Sequence, residues 1–307
     1  MSSASAQTGA RTILCAGIIV LDEVFQVDRF PQPDTKTQAQ SFFIVNGGCA
    51  ANAAVAVTRL GGRAALAGPL GDDANGERVL AALAREEVDC SGCQRLAGVP
   101  TALSAIFLDA QGERMIVTHC DDRLAAARPI NPARLVASAD AVLADNRFPE
   151  FVRPICEAAR ARGLMVVLDA DRPTRICDEL FRIATHVVFS SECLRATTGR
   201  DDLAAVAATT PSFLAVTHGP HDVLWREGAA MRKSPVFAVQ AVDTLGAGDV
   251  FHGAFTLALA QGGALAAAIR FAAAAAGIKC ARLGGSMAAP RRDEVDALLA
   301  RGTREQI

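Results

Sequence analysis

The chain has 307 residues, of which 51% are hydrophobic, and its 31 basic and 33 acidic residues give a net charge of −2. This length can form one large domain with a substantial hydrophobic core and a smaller additional element. Because acidic and basic residues are interspersed without a long basic run, the composition argues against nucleic acid and anionic membranes as partners.

Nine cysteines are scattered along the chain without a recurring spacing. An odd number without a framework is typical of reducing compartments, so we expect a cytoplasmic protein. The longest N-terminal apolar run, residues 13–21, has nine residues, about half of the ~20 that a membrane helix needs. We therefore expect a disordered tail at 1–11, then a buried first strand that Asp22 closes, and no membrane span.

Two segments in the first half of the chain have the pattern of β-hairpins. Residues 23–45 contain the runs EVFQVDRF and TQAQSFFIV around a turn with two prolines, and residues 101–120 contain TALSAIFLD and RMIVTHC around AQGE. Both patterns predict a pair of strands joined by a turn. Between them, AANAAVAVTRLGG and ANGERVLAALAREE have helical periodicity and flank the apolar strand AALAGPLG.

From residue 141 onward, apolar strands at 141–145, 164–171, 186–190 and 213–219 alternate with helical segments. This alternation predicts an α/β fold in which a mostly parallel sheet is flanked by helices on both faces. The two hairpins predict a small β-sheet lid, since ligands of such folds bind at the carboxyl ends of the strands. We expect a single domain over residues 12–300, with lid insertions at about 23–45 and 101–120, and a C-terminal tail at 301–307.

The stretch VDTLGAGDVFHGAF places two glycines and an aspartate directly before a helical pattern. In a purely structural interpretation, Asp249 or Thr244 caps the helix after a flexible turn. In a functional one, the main-chain N–H groups of Gly246, Ala247 and Gly248 bind a phosphate at the positive end of the helix dipole. A carboxylate would repel that phosphate unless it accepts a proton from the attacking group, so we predict that Asp249 is a general base.

Polar motifs stand at or near the ends of several predicted strands. They are Asp22, NGGCAAN (46–52), GDD (71–73), DAD (169–171) and THG (217–219). Because the carboxyl ends of parallel strands meet at one edge of a sheet, these motifs predict a cleft at that edge.

Two segments about 200 residues apart, NGGCAANAAVAVTRLG and DTLGAGDVFHGAF, resemble the two signatures of the ribokinase-type, phosphofructokinase B carbohydrate kinases. The resemblance covers roughly residues 12–300. It implies that the protein uses ATP and Mg²⁺, that a sugar hydroxyl is the nucleophile, and that a β-sheet lid lies on an α/β domain.

The resemblance assigns roles by position. It makes Asp249 the base and places the amides of 246–249 around the γ-phosphate. The residues that it assigns to the sugar hydroxyls are Asp22, Gly47, Gly48 and Asn52, of which the carboxylate and the amide suit directional bonds to a polyol. It places Ser190, Thr217 and Gly219 beside the nucleotide, and it assigns Asp243 and Thr244 to a monovalent-cation site, so that K⁺ is an expected cofactor.

One family motif is missing. Many members carry Asn-x-x-Glu near the magnesium ion, whereas this chain has FSSECL, with Ser190 and Cys193 at those two places. We therefore expect phosphates and water to hold Mg²⁺, with Glu192 as the alternative protein ligand.

The substrate is predicted from finer similarities. FSSECL, VLADNRF, VLDAD and GDVFHGAF are similar to the branch that contains ketohexokinase and sulfofructose kinase. Lys36 and Arg147 match cationic positions that face the sulfonate in sulfofructose kinase. A neutral hexose would not need these two positive charges. The ordinary alternatives are that Lys36 is a solvated surface lysine and that Arg147 forms a salt bridge. Thr118 stands where an asparagine would be expected.

We expect phosphate transfer to a primary hydroxyl of a furanose sugar, with 6-deoxy-6-sulfofructose as the leading candidate. A fructokinase, ketohexokinase or ribokinase is the alternative within enzymes, and a non-catalytic sugar or nucleotide sensor is the alternative of another class. Retention of Asp249 argues against the sensor, because an unused carboxylate beside a phosphate would lower affinity.

Other reactive residues are expected to be structural. Cys90 and Cys93 form a C-x-x-C in a loop without a second pair. His218 and His221 flank a turn near the nucleotide, and His252 is expected on the helix surface or the cleft wall. The phenylalanines at positions 25, 42 and 43 are predicted to pack lid against lid in a homodimer.

Overall fold

The computed structural model describes residues 10–175, 178–207, 209–210 and 212–302, so most of the two expected tails lies outside the described residues. Within these ranges the strands are β1 (Thr12–Ala16), β2 (Val20–Gln26), β3 (Ser41–Gly47), β4 (Arg63–Ala67), β5 (Pro69–Gly71), β6 (Gln94–Leu96), β7 (Ala102–Leu108), β8 (Arg114–His119), β9 (Ala141–Asp145), β10 (Met165–Ala170), β11 (His186–Ser190), β12 (Phe213–His218), β13 (His221–Glu227) and β14 (Ala230–Ser234). The helices are α1 (Cys49–Arg59), α2 (Ala74–Arg85), α3 (Asp122–Ala125), α4 (Pro132–Leu135), α5 (Pro149–Ala161), α6 (Glu179–Ile183), α7 (Ser191–Thr198), α8 (Ala204–Ala207), α9 (Ala247–Ala260), α10 (Leu265–Cys280) and α11 (Arg292–Arg301), with a 3₁₀ turn at Gly285–Ala288.

The central sheet has eight strands in the order β14-β13-β12-β11-β10-β9-β1-β4. The six strands from β12 to β4 run parallel, and β13 and β14 add an antiparallel edge. Two separate hydrophobic clusters cover the sheet, so its inner strands are mainly apolar, with polar residues towards their ends. The predicted α/β fold with a mostly parallel sheet flanked by helices is confirmed. No helix among the described residues is long and apolar enough to cross a membrane.

The predicted first strand, residues 13–21, is wrong in its extent, because the chain changes sheets within it. β1 ends at Ala16, and Gly17 has a φ of +151°. A Cβ at Gly17 would lie only 1.9 Å from Oδ2 of Asp145, which also accepts a hydrogen bond from the N–H of Ile18 at 2.8 Å. The tight turn around this carboxylate directs the chain into β2, so Asp22 lies within a strand of a second sheet rather than at the end of the first.

The two predicted hairpins pair into one four-stranded sheet, in the order β3-β2-β7-β8. Successive side chains of a strand point to opposite faces, so this small sheet has two distinct sides. On one side Val24 and Ile106 pack with Leu245, which precedes α9, and Phe43 packs against this cluster. The prediction that Phe43 shares a dimer surface with Phe42 is therefore wrong, since adjacent residues of a strand cannot share a face.

Helices α1 and α9 lie side by side against the central sheet. Gly253 permits the close approach, because a Cβ there would lie 2.7 Å from the carbonyl oxygen of Ala53. The alanine-rich α10 packs against α9 on the outside and is buried along much of its length, as expected for a packed helix. This arrangement brings the N-termini of α1 and α9 together beside the small sheet.

Candidate active site

The carboxylate of Asp249 lies in the first turn of α9 and is half-buried. Its Oδ2 accepts a hydrogen bond of 2.7 Å from Nδ2 of Asn52, which is on α1. Loss of hydration raises the pKa of Asp249, and the negative charge of Asp171 contributes in the same direction, while the bond from Asn52 opposes both. A carboxylate with a raised pKa and a fixed orientation is suited to accept a proton.

The backbone in front of Asp249 is open to a ligand. Gly246 caps α9 in the left-handed region, with a φ of +77°, which glycine adopts without strain. The first N–H groups of a helix have no partner within it, and the helix dipole adds partial positive charge there. Gly248 is exposed, and a Cβ built on it would meet no atom within 4 Å. The space beside Gly248 is therefore open to an anion, whereas the N–H of Ala247 donates to the carbonyl oxygen of Thr244 at 3.3 Å.

Other acidic side chains lie behind Asp249. Asp169 is buried at the end of β10, and its carboxylate, that of Asp249 and Sγ of Cys49 lie within 4.8 Å of one another. Burial raises the pKa of Asp169 well above its usual value, and the charges of Asp171 and Asp249 add to the rise. Burial first, and then the neighbouring carboxylates, likewise raise the pKa of the Cys49 thiol, which therefore stays protonated and is a poor metal ligand.

His252, expected on the helix surface or the cleft wall, is instead buried beneath the first turn of α9. Its Nδ1 lies 2.7 Å from the carbonyl oxygen of Gly248, and its Nε2 lies 3.4 Å from Oδ1 of Asp169. Burial lowers the pKa of His252. Within the core, the His252 side chain therefore contacts both the first turn of α9 and the end of β10.

The small sheet presents a row of polar side chains. Asp22 on β2, Ser104 on β7 and Thr118 on β8 are register partners and therefore share a face. Oγ of Ser104 lies 3.0 Å from Oγ1 of Thr118. Burial raises the pKa of Asp22 to about 7 despite a hydrogen bond from Ser104, and the charge of Asp249 contributes to the rise. Val24 and Ile106 lie two residues further along the same face and pack with Leu245, so this row lies on the side of the small sheet that faces the start of α9.

The NGGCAAN loop joins the small sheet to α1 through close backbone contacts. A Cβ at Gly47 would lie 2.0 Å from Oδ2 of Asp22, and one at Gly48, which has a φ of +92°, would lie 2.4 Å from the carbonyl oxygen of Ile18. Asn46 is buried, and its Nδ2 lies 3.5 Å from Oδ1 of Asn52. Only glycine fits at the two positions, so the loop holds Asn52 and Asp22 at a fixed separation.

The two cations predicted to face a sulfonate have different surroundings. Arg147 follows β9, and its Nη2 donates to Oδ2 of Asp171, while its buried Nε has no hydrogen-bond partner among the described residues. Lys36 is exposed in the connection between β2 and β3 rather than in a strand. The structure therefore gives Arg147 a carboxylate partner and leaves Lys36 in solvent.

The residues predicted beside the nucleotide lie at the ends of adjacent strands. Ser190 and Thr217 are register partners on β11 and β12, and Gly219, with a φ of +57°, forms the turn after β12. The hydroxyl of Ser190 caps α7 by accepting a bond of 3.1 Å from the N–H of Cys193. Cys193 is buried in the core, so it cannot replace the missing glutamate, whereas Glu192 is exposed.

Asp243 and Thr244, expected to bind a monovalent cation, are already bound to side-chain cations. Oδ2 of Asp243 lies 3.0 Å from Nζ of Lys279, and the hydroxyl of Thr244 accepts a bond of 2.6 Å from Nη1 of Arg114. Oδ2 of Asp243 also accepts bonds from two main-chain N–H groups. This donor set does not fit a further monovalent cation.

Some predicted features do not join the cleft. Asp73, from the GDD motif, caps α2, and both of its oxygens are bound by Gly76 and Thr101. Cys90 and Cys93 lie between α2 and β6, as expected for a loop. His218 has an acidic neighbour, since its Nε2 lies 3.2 Å from Oδ1 of Asp201.

Several residues of the site were missed by sequence reasoning. Ser104 had no motif around it, and Lys279 and Arg114 lie far along the chain from the residues that they contact. Asp171 was seen only as part of DAD at a strand end, without its partner Arg147. A signal existed for Lys279 alone, because a lysine inside an apolar, alanine-rich helix predicts a buried charge that needs a partner.

Comparisons with known proteins show the family to which the chain belongs. A family model for the pfkB family carbohydrate kinases matches residues 10–292. A ribokinase from Bacillus subtilis (strain 168) is 29% identical over 293 residues, which cover 94% of this chain and 100% of the ribokinase. Fructokinase-1 from Oryza sativa subsp. japonica is 32% identical over 302 residues, covering 85% and 90% of the two chains. A protein from Agrobacterium tumefaciens, provisionally assigned as a ribokinase, has a crystal structure that superposes on this one with a TM-score of 0.90. The two sequences are 37% identical, and the match covers 95% of this chain and 98% of the other. The protein belongs to the pfkB family of carbohydrate kinases.

Proposed function

We propose that this ATP-dependent carbohydrate kinase transfers the γ-phosphate of ATP to a primary hydroxyl of a neutral furanose sugar of the ribose or fructose type. The observation that carries the proposal is the carboxylate of Asp249, which Asn52 orients at the open N-terminus of α9. The relatives named ribokinase and fructokinase support the same class of substrate.

In this mechanism the sugar hydroxyl lies between Asp249 and the γ-phosphate. Its oxygen attacks phosphorus, its proton passes to the Asp249 carboxylate, and the bond from phosphorus to the β-phosphate oxygen breaks, which releases ADP. The raised pKa of Asp249 brings the base closer to the working pH and so favours this proton transfer. The main-chain N–H groups of 246–249 stabilise the negative charge that develops on the transferred phosphoryl oxygens.

Magnesium supplies charge neutralisation between the phosphates when the nucleotide is bound. At the two positions where many family members carry asparagine and glutamate, the Ser190 hydroxyl caps α7 and Cys193 is buried, so neither provides a carboxylate for the ion. We infer that Mg²⁺ is held mainly by phosphate oxygens and water, as is common for this ion. Ser190, Thr217 and Gly219 would line the nucleotide, since they lie together at the ends of β11 and β12.

The sugar is proposed to bind between the small sheet and α1. This region is lined by Asp22, Gly47, Gly48 and Asn52. The carboxylate of Asp22 and the amide of Asn52 can form directional hydrogen bonds with sugar hydroxyls. In this proposal the small sheet acts as a lid that excludes water from the phosphoryl transfer.

The charge of the cleft favours a neutral sugar. The charge of Asp249 raises the pKa of both Asp22 and Asp169, and the Arg147 guanidinium is paired with the carboxylate of Asp171. An anionic substituent would have to displace Asp171 from Arg147 or approach a region of negative charge, and either step costs free energy.

An anionic sugar, such as 6-deoxy-6-sulfofructose, is the second candidate. The observation that favours it is the buried Nε of Arg147, which has no partner among the described residues and could donate to a sulfonate. Lys36 is exposed in the connection between β2 and β3, so its charge is not committed to a protein partner in the described residues.

The test is an ADP-release assay with ribose, fructose, 6-deoxy-6-sulfofructose, fructose 6-phosphate and adenosine. We expect the highest kcat/KM for ribose or fructose. A kcat/KM for an anionic sugar about 10-fold or more above both would contradict the neutral assignment and support the second candidate. In that case, Arg147→Ala should raise KM for the anionic sugar far more than for fructose, and equal effects would remove Arg147 from substrate recognition.

We also propose that a second copy of the chain covers the outer face of the small sheet. Phe42, Ile44, Met115 and Val117 share this face and are between 40% and 62% exposed. Together with Phe25 they form an apolar surface on the side of the sheet that points away from the cleft. A contiguous exposed apolar face is typical of a protein interface, and a two-fold arrangement would cover it with the same face of another copy.

A further inference from the structure

A buried lysine occupies the position where the sequence predicts a monovalent cation. Lys279 lies in the last turn of α10 and is 0% exposed. Its Nζ lies 3.0 Å from Oδ2 of Asp243 and donates a bond of 2.5 Å to the main-chain carbonyl oxygen of Asp243. A carboxylate and a carbonyl oxygen of this kind are the hard oxygen ligands that also bind a potassium ion.

The rest of the carboxylate is also bound. Oδ2 of Asp243 accepts bonds from the N–H groups of Gly284 at 3.0 Å and Gly285 at 2.9 Å, and Oδ1 accepts one from Leu245 at 2.8 Å. Asp243 is 1% exposed. A buried carboxylate requires a compensating positive charge, and here a covalently attached ammonium group supplies it.

The lysine acts close to the phosphate-binding backbone. Asp243 stands three residues before Gly246, the N-cap of α9, and its bond to the N–H of Leu245 fixes the turn between them. The N–H groups of Val242 and Asp243 donate to the carbonyl oxygen of Cys280, next to Lys279. The end of α10 therefore positions the loop that leads into 246–249.

The second residue of the expected cation site is also paired with a protein cation. The hydroxyl of Thr244 accepts from Arg114 of β8, which links the small sheet to the same loop. The buried cation is one of only three lysines among the 31 basic residues of the chain. An ammonium group is a compact point charge, unlike the planar guanidinium of arginine, and is therefore the better substitute for a spherical ion.

We propose that the ammonium group of Lys279 replaces the monovalent cation, so that the phosphate-binding loop is held in place without K⁺. Lys279 is a positioning residue in this proposal, because it acts on the loop through Asp243 and touches no reacting atom. The inference rests on the kinase activity described above, but its thermal test requires no substrate, so the two can fail independently.

The first measurement uses the wild-type protein. We expect kcat and the Tm of the nucleotide-free protein to be the same, at equal ionic strength, in tetramethylammonium, sodium, potassium and ammonium chloride. An increase of kcat by more than about fivefold in potassium or ammonium, or a rise of Tm by more than about 3 °C, would overturn the proposal, since an ion at concentration c that binds only the folded state stabilises it by RT ln(1 + c/Kd). This experiment decides the question even if the variants below do not fold.

The second measurement uses Lys279→Ala, which leaves Asp243 without its cation and opens space beside it. In tetramethylammonium chloride we expect the variant to lose at least about 10-fold in kcat and at least about 5 °C in Tm. Potassium or ammonium ions at about 0.1 M should restore much of both, because they can enter the vacated position. A variant as active and as stable as the wild type without these ions would contradict the proposal.

Two further variants serve as controls. Asp243→Asn combined with Lys279→Ala removes both charges, and potassium should then restore neither kcat nor Tm. Lys233→Ala breaks an exposed pair, in which Nζ lies 3.5 Å from Oδ2 of Asp222, and should change neither quantity in any salt. Ion-dependent recovery of the double variant would show that Asp243 is not the ligand, and would overturn the assignment of the site.

Discussion

Replacing Asp22 with asparagine is expected to stabilise the unliganded protein above neutral pH while it weakens sugar binding. Asp22 is 5% exposed, and burial raises its pKa from 3.8 to about 7. Between these values the folded state binds a proton that the unfolded state has lost, so the free energy of unfolding falls as the pH rises. Above pH 7 the side chain is ionised in both states, and the cost of burying its charge is complete.

The size of the effect follows from the pKa values. Each pKa unit corresponds to about 1.4 kcal/mol. The difference between the folded and unfolded pKa of Asp22 therefore lowers the free energy of unfolding by about 4 kcal/mol at pH 8, but by only about 1.5 kcal/mol at pH 5, where the folded state is still protonated. Asparagine does not titrate. The stability of Asp22→Asn relative to the wild type should therefore rise by about 2.5 kcal/mol between pH 5 and pH 8.

Chemical denaturation of both proteins at pH 5 and pH 8 measures this difference. Subtracting wild type from variant at each pH cancels the titrating groups that do not interact with residue 22, and the interaction with Asp249 is part of the measured difference. Asp28→Asn, in the exposed connection after β2, is the matched control and should give the same difference at both pH values. A stability difference for Asp22→Asn that changes by less than about 0.5 kcal/mol would refute the argument that burial of this charge is costly.

Two other predictions concern the glycine loop and the outer face of the small sheet. Gly48→Ala should raise the KM for the sugar and lower stability, because the new Cβ clashes with the carbonyl oxygen of Ile18. Gly61 is the control, because it also has a positive φ, of +87°, but no atom lies within 4 Å of the position of a Cβ. Gly61→Ala should cost only about 1 kcal/mol of stability and leave kcat/KM unchanged. Equal kinetic effects would show that the loop does not shape the sugar site. Val117→Glu should convert a dimer to a monomer in sedimentation experiments, whereas Ile130→Glu, at an isolated position that is 87% exposed, should not. A monomeric wild type would contradict the interface.

Local motifs could be predicted from the sequence because their meaning depends on neighbours in the chain. The two glycines before Asp249 and the apolar pattern after it indicate a helix start with open backbone, and the structure has that geometry. The alternation of strands and helices in the second half of the chain predicts a parallel sheet for the same reason. Each of these inferences needs only about one turn of helix or one strand of context.

Contacts between distant parts of the chain could not be predicted in this way. Two ion pairs, Lys279–Asp243 and Arg147–Asp171, form only because α10 and the strands of the central sheet pack at particular positions. The first strand was misplaced for a related reason: residues 13–21 are apolar throughout because two different sheets bury them. Only the turn at Gly17, which the carboxylate of a distant residue stabilises, separates the two strands.

The central claim is that Asp249 removes the proton from the sugar hydroxyl beside the phosphate-binding backbone, and Asp249→Asn tests it most directly. Asn is nearly isosteric and can keep a hydrogen bond to residue 52, so ATP affinity should remain within about threefold of the wild type while kcat falls by about 100-fold or more. Asp73→Asn, which keeps one acceptor oxygen at the N-cap of α2 but turns the other into a donor facing a main-chain N–H group, should lower stability without such a loss of kcat. A kcat for Asp249→Asn within about threefold of the wild type would contradict the account.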